Sequence, residues 1–304
     1  MRVLSILLSP ALIGTFAVFL SVLWMVRNPK DTTRPTLVCA LVFNLFFGLL
    51  LNFFMGTEGS LLPWKYDHIL IRLDESLGFS AAVIARPLQY AYLTPLIVIY
   101  RLMVPMMICW YFVTRYRYGR GSVIWAYIVE LVAGPIMYAI VPACGPIYAF
   151  GTQWLQPHAV PASPIQLTGL PNAFPSLHVG TALVFVLFSP SKFWQAVSLA
   201  FLGSTVFATL ATGEHYVIDL IPGLAFGCFA ASVARCMIGR AVLFLATTLG
   251  WSLAVRFAYI FLIAHPGVTA SFAALTLVMA TAAVYREWSI PRFKTTGIAM
   301  AHQE

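Results

Sequence analysis

Nine apolar runs divide this chain, each near the length of a bilayer crossing, at roughly residues 3–26, 36–55, 93–113, 122–143, 174–189, 193–211, 216–238, 241–264 and 268–285. A helix needs about 20 apolar residues to cross the hydrocarbon layer, and only the fifth run is clearly short. The runs are continuous rather than alternating, which selects helices over the strands of a membrane barrel. Only 9% of the 304 residues are charged, where a soluble domain carries about 25%. The sequence therefore predicts an all-α fold: a polytopic transmembrane helical bundle of about nine spans, in a single membrane domain. The first run, from just after Arg2 to Val26, is longer than the 7–15-residue core of a signal peptide and has no small-residue cleavage site after it. It reads as an uncleaved span.

The net charge of +8 fits the positive-inside rule better than a nucleic-acid surface. If the nine runs alternate, Arg27, Lys30, Arg34, Arg115, Arg117, Arg120, Lys192, Arg235, Arg240, Arg286, Arg292 and Lys294 all fall on one side. Arg2, Lys65, Arg72 and Arg86 fall on the other. The rule puts the larger set in the cytoplasm, with the N-terminus outside and the C-terminus inside. Three segments then share the outer side: 56–92, 144–173 and the short break at 212–215. In the first, apolar and charged residues alternate at a spacing that partly fits a helix lying in the interface. The second holds Pro146, Pro157, Pro161, Pro164 and Pro171 and no charge, and reads as a lid packed at headgroup depth. Cys39, Cys109, Cys144, Cys228 and Cys236 are odd in number and lack a metal-like spacing. They read as small buried apolar residues.

Two motifs converge on that outer side. In Phe174-Pro-Ser-Leu-His178, proline suits the start of a helix, and the free amides of the first turn, with Ser176, suit an anion. In Gly213-Glu-His-Tyr-Val-Ile-Asp219, His215 and Asp219 are four apart and share a helix face. The carboxylate can hold one imidazole nitrogen and leave the other free to attack. A carboxylate inside an apolar run is costly and marks function. Two histidines and a carboxylate are also a metal triad, but a metal site has no use for Pro175 and Ser176, so no metal and no cofactor are expected. Arg101 and Arg256 lie within apolar runs and read as phosphate-binding cations or as snorkelling side chains. Glu130 is an alternative partner for one of them. Tyr148, Asn172, Glu214 and Tyr216 are candidate substrate contacts.

Pro175-Ser-Leu-His178 followed by His215-x-x-x-Asp219 resembles the second and third signature motifs of the type 2 phosphatidic acid phosphatase superfamily. Cys144-Gly-Pro-Ile-Tyr148, with Asp67 and Asp74 upstream, is most similar to the branch that includes inositol phosphorylceramide synthases. The resemblance covers approximately residues 60–235 and implies a six-helix phosphatase-like core, with 241–285 as additional C-terminal spans. It implies that His215 is a nucleophile forming a phosphohistidine, that Asp219 supports it, and that His178 is first general acid and then base. It also implies that Ser176 and adjacent amides hold the phosphoryl oxygens without a metal. Ala208 and Thr209 stand where the superfamily has Ser-Arg. Lys65 and Arg72 keep the spacing of its first motif, with Leu73 in place of proline.

The sequence thus predicts a lipid phosphatase or phosphotransferase acting at the outer leaflet, facing periplasm, cell exterior or organelle lumen. Its partners would be a lipid phosphate or phospholipid and a polyol, sugar or lipid alcohol acceptor, and not nucleic acid. The rivals are a transporter or scramblase of phospholipid-like substrates and a metal-dependent membrane hydrolase.

Overall fold

The computed structural model describes residues 10–28, 61–114, 122–155, 160–167 and 169–289, with isolated residues between 35 and 59. Most of the run 36–55 lies outside the described residues, as do Lys30, Arg34, Arg115, Arg117, Arg120, Arg292 and Lys294. The chain is an all-α membrane bundle. In order it forms α1 (Pro10–Arg27), β1 (Trp64–Lys65), α2 (Asp67–Ser76), α3 (Ala81–Arg101), α4 (Met103–Thr114), α5 (Ser122–Ile140), α6 (Pro146–Phe150) and a 3₁₀ turn (Gly151–Leu155). There follow β2 (Ile165–Gln166), α7 (Leu177–Leu187), α8 (Lys192–Ala211), α9 (Val217–Ala234), α10 (Ile238–Phe257), α11 (Tyr259–Ala264) and α12 (Pro266–Ser289).

Among the described residues five helices are long and apolar enough to cross a membrane: α5, α8, α9, α10 and α12. A sixth crossing is broken. The helix expected over 93–113 bends by 54° where Arg101 gives way to Met103. The eighth run also departs from its expected range: its helix ends at Phe257, and a separate six-residue turn, α11, completes it.

The fifth run is short for a physical reason. Phe174, Pro175 and Ser176 are not helical, and α7 begins only at Leu177. Its partner α9 lies at the centre of the bundle, against α5, α7, α10 and α12. Small residues let two helices approach closely in a membrane, where no hydrophobic force joins them. Gly223 and Gly227 do this on α9. A Cβ on Gly223 would collide with the Ser176 carbonyl oxygen, and one on Gly227 with that of Gly180. Gly223 lies six residues into α9, so the start of α7 is sunk about 9 Å below the start of α9.

The chain reaches that depth through two non-helical stretches, Val141–Gly145 and Pro171–Ser176. Irregular backbone at membrane depth is tolerated only inside protein, and both stretches are almost wholly buried. They bond to each other: the Asn172 and Ala173 amides both donate to the Ala143 carbonyl, at 2.9 Å. The antiparallel pairing of β1 with β2 pins the segment before α2 to the lid.

The helix expected near the interface is α2. Its buried residues Asp67, Ile69, Leu70, Leu73 and Asp74 follow one helical face. The exposed face carries Arg72, paired to Glu75 at 2.8 Å. The C-terminal helices are fastened to the core at the far end of α9. Arg235 and Arg240 both reach Glu287 of α12, at 2.6 and 2.8 Å, and the Arg235 Nη2 donates to the Leu187 carbonyl at 2.8 Å. Higher up, Trp251 stacks on Phe272 at 4.4 Å and donates its ring N–H to Thr276. Cys109, Cys144, Cys228 and Cys236 are all unbridged.

Candidate active site

Ser176 caps α7. Its Oγ accepts from the Val179 amide at 3.5 Å, and its own N–H donates to the Asp219 carbonyl at 3.1 Å. Among the described residues the next two amides of that turn, on Leu177 and His178, have no hydrogen-bond partner. Free N–H groups at a helix start carry the positive end of the helix dipole and suit an anion.

His215 lies in the turn before α9 and is 2% exposed. Its Nδ1 faces two acceptors, Asp219 Oδ1 at 3.1 Å and the Ala173 carbonyl at 3.0 Å. Both draw the ring proton to Nδ1 and leave the Nε2 lone pair free. That Nε2 lies 3.3 Å from Ser176 Oγ. Burial alone would lower the imidazole pKa, but the Asp219 carboxylate more than offsets this and holds it above the ordinary 6.5. Asp219 is fixed in turn, its Oδ2 accepting the Tyr216 amide at 2.9 Å.

His178, on the first turn of α7, stands edge-on to His215 with ring centroids 5.9 Å apart. Its other face stacks on Tyr100 at 3.9 Å, a contact that the sequence did not signal. A cavity of about 180 Å³ opens beside it, lined by Tyr100, Tyr127, Tyr138, Asn172, His178 and Thr181. An apolar groove of about 530 Å³ begins at Val179 and Val217 and runs past Leu220 and Leu224 to Leu277. Val179, next to His178, and Val217, two residues after His215, thus line its wall.

The four residues of the two motifs are brought together. The expected cations are not. Lys65 is fully buried and its Nζ donates to the Leu62 carbonyl. Arg72 faces outward on its pair with Glu75. Arg256 donates to the Ile140 carbonyl and lies over the Tyr66 ring at 5.9 Å, beside a separate cavity bounded by Trp64 and Pro142. Arg86 is bonded to the Leu155 carbonyl. For Arg72 the reason lies in α2, whose inward positions belong to Asp67 and Asp74, so its one arginine turns away. Arg101 is exposed at the bend after α3. Its charge acts on Tyr148, whose hydroxyl donates to Glu214 Oε1 at 2.9 Å. Burial and Glu214 together push the Tyr148 phenol up to about 12.

Asn172, with its amide nitrogen turned to the Cys144 and Leu170 carbonyls at 3.1 and 3.3 Å, braces the lid and lines the cavity beside His178. Glu130 meets neither Arg101 nor Arg256. It is fully buried, accepts the Thr181 hydroxyl at 2.6 Å, and sits where Gly180 lacks a side chain. Tyr216 points away from the histidines, its hydroxyl donating to Asp67 Oδ1 at 2.9 Å. No group of three or more potential metal ligands occurs among the described residues.

No curated protein and no solved structure matched the chain. A family model described as the PAP2 superfamily matches residues 68–233, from the first turn of α2 to the last turn of α9, and so spans α7, α9 and both histidines. With more than half of its length matched, this multi-pass membrane chain belongs to the PAP2 superfamily, whose members are phosphatase- or phosphotransferase-type enzymes.

Proposed function

We propose that the protein is a lipid phosphotransferase or phosphatase that works through a phosphohistidine on His215, without a metal. One observation carries this reading: Nδ1 of His215 is held between Asp219 and the Ala173 carbonyl, while Nε2 faces Ser176, the open first turn of α7 and His178.

The reaction takes two displacements. The Nε2 lone pair attacks phosphorus, and the bond to the leaving oxygen breaks as His178 gives that oxygen a proton. Asp219 stabilises the cationic ring through Nδ1–H. Ser176 exchanges its contact with Nε2 for a phosphoryl oxygen, and the Leu177 and His178 amides hold the others. In the second step His178 takes the proton of an incoming hydroxyl. That oxygen attacks phosphorus and the P–N bond breaks.

The apolar groove starting beside both histidines supports a lipid tail as the substrate's anchor. The cavity beside His178 has about the volume of six water molecules. The hydroxyls of Tyr100, Tyr127 and Tyr138 on its otherwise apolar wall would suit a small alcohol acceptor, which favours transfer over hydrolysis and a place in the branch with the inositol phosphorylceramide synthases. The positive-inside pattern of the sequence supports a site facing the outer leaflet.

The test uses purified protein in detergent with a labelled lipid phosphate or phosphodiester and excess EDTA, with and without polyol, sugar and lipid alcohols. Wild type is compared with His215→Ala, and phosphate and new lipids are followed by mass spectrometry. A new phosphodiester formed by wild type alone supports transfer, and free phosphate alone makes the protein a phosphatase. Loss of activity to EDTA overturns the phosphohistidine in favour of a metal site. Transbilayer lipid movement without turnover overturns the enzyme reading.

A further inference from the structure

Two acidic side chains of α2 lie outside the reaction scheme yet surround the turn that carries His215. Asp74 spends both oxygens on α9: Oδ2 accepts the Val217 amide at 2.8 Å and Oδ1 the Ile218 amide at 2.7 Å. These are the first two N–H groups of the helix, which lack intrahelical partners. Asp67, about two turns back along α2, accepts the Tyr216 hydroxyl at 2.9 Å, the Gly145 amide at 2.9 Å and the Cys144 amide at 3.1 Å. Gly145 in turn presses on the Glu214 carbonyl, so closely that a Cβ there would overlap it, and holds φ at +96°. Residues 216, 217 and 218 are thus held directly by α2, and residue 214 through Gly145, which Asp67 holds. Both carboxyls are raised by burial, Asp67 to about 6 and Asp74 well above the ordinary carboxylate value. Leaving them so deep is costly, and the bonds they make offset that cost.

We infer that Asp74, backed by Asp67, is a positioning residue for His215: α2 sets the height and angle of the α9 N-terminus, and so the distance from Asp219 to the imidazole. This rests on the reading of His215 as the reacting group. Because the carboxylate of Asp74 occupies the α9 amides, substrate phosphate is left with the open turn of α7. The two helix starts therefore divide the work, one orienting the nucleophile and the other receiving the anion.

Asp74→Asn tests this. The amide keeps the size of the side chain but offers one acceptor to two N–H groups. A shift of about 1 Å in a reacting group costs on the order of 10²-fold in rate, so phosphoenzyme formation should fall about that far with KM little changed. A second readout does not depend on turnover: the His215 pKa, followed by NMR of protein carrying ¹³C-labelled histidine and assigned with His215→Gln. The groups facing that ring are Asp219 of α9, His178 of α7 and Glu214 of its own turn, with Tyr100 of α3 behind His178. A looser Asp219 contact lets burial prevail, so the midpoint should move down in Asp74→Asn. Glu75→Gln, at the neighbouring outward position, should leave rate and midpoint unchanged. A lower midpoint together with a lower rate supports the inference. An unmoved midpoint overturns it, whether the rate is unchanged or falls only with the amount of folded protein. If wild type transfers no phosphoryl group yet Asp74→Asn lowers the midpoint, the positioning role stands and the proposed function falls.

Discussion

Replacing Asp219 by asparagine removes one charge at the centre of the site, and the geometry sets the size of the effect. The carboxylate serves two donors, the His215 ring at 3.1 Å through Oδ1 and the Tyr216 amide at 2.9 Å through Oδ2. An amide can accept from only one of them. If its oxygen stays on the Tyr216 amide, its NH₂ faces Nδ1 and favours the tautomer with the proton on Nε2, which cannot attack. A hydrogen bond to a charged group contributes about 1.5–3 kcal/mol, or roughly 10- to 150-fold in rate. Full reversal of the tautomer costs about 10⁴-fold in serine proteases with the corresponding substitution. Here the Ala173 carbonyl, 3.0 Å from Nδ1, still draws the proton to that side. The expected loss is therefore intermediate, about 10²- to 10³-fold. Rapid-quench measurement of phosphoenzyme, with the phosphate located on the His215 peptide by mass spectrometry, gives the rate. The pH profile adds a sign. Attack needs a neutral ring, and the His215 pKa lies above 6.5, so wild-type activity should fall as pH drops through that raised value. Without the Asp219 charge, burial is opposed only by Glu214 and the Ala173 carbonyl, and the limb should move to lower pH. A variant within threefold of wild type, with its limb unmoved, would refute the assignment of Asp219.

Other perturbations separate the remaining roles. His178→Gln should slow transfer from a lipid alkoxide by about 10²- to 10⁴-fold, and far less from a nitrophenyl ester, whose leaving group needs no proton; equal losses for both esters would deny His178 the acid role. Gly227→Ala should cost about 1–3 kcal/mol of stability, seen as a lower Tm, because its Cβ meets the backbone of Gly180, whereas Gly203→Ala, with open space around it, should not destabilise. Arg101→Ala should lower kcat/KM by roughly 10- to 100-fold if its charge meets the phosphate, while Arg72→Ala, losing only an exposed pair with Glu75, should stay within about twofold. EDTA should leave the wild-type rate unchanged.

The readings that survived into the structure were those fixed by covalent spacing. Helical fold, motif order and the pairing of His215 with Asp219 depend on residues near each other in the chain. The Gly223-x-x-x-Gly227 pair was equally local, and its spacing is a known signal for close helix approach. What escaped the sequence depended on rotation about a helix axis. Asp67 and Asp74 are seven residues apart, with Leu70 between them on the same face. That spacing is compatible with either an inward or an outward acidic stripe, and only the free amides of α9 and the Cys144–Gly145 turn make the inward choice favourable. Once it is made, Arg72 must face out. The bend after Arg101, by contrast, has a local marker: Pro105 offers no N–H to the Arg101 carbonyl four residues back, whereas Pro87 and Pro95 sit inside α3 away from the break.

That rotation bears on the chemistry. A phosphoryl transition state gathers negative charge that a site must neutralise, and Thr209 stands where the superfamily has arginine. The two helix starts nearest His215 are unequal in this respect. The α9 terminus is already occupied, by Asp74 on the Val217 and Ile218 amides and by Asp219 on that of Tyr216. The α7 terminus keeps the Leu177 and His178 amides open, next to Ser176 and the His178 ring. On the proposed mechanism, then, most of the charge falls on α7, with Arg101, whose charge reaches Tyr148, as the candidate cation. A helix terminus is equivalent to about half an elementary charge, less than an arginine supplies. The deep burial of the site compensates, because the same dipole acts more strongly where water is excluded. Sinking α7 below the start of α9, through two glycines without side chains, thus also lets backbone amides take over part of the missing arginine's task.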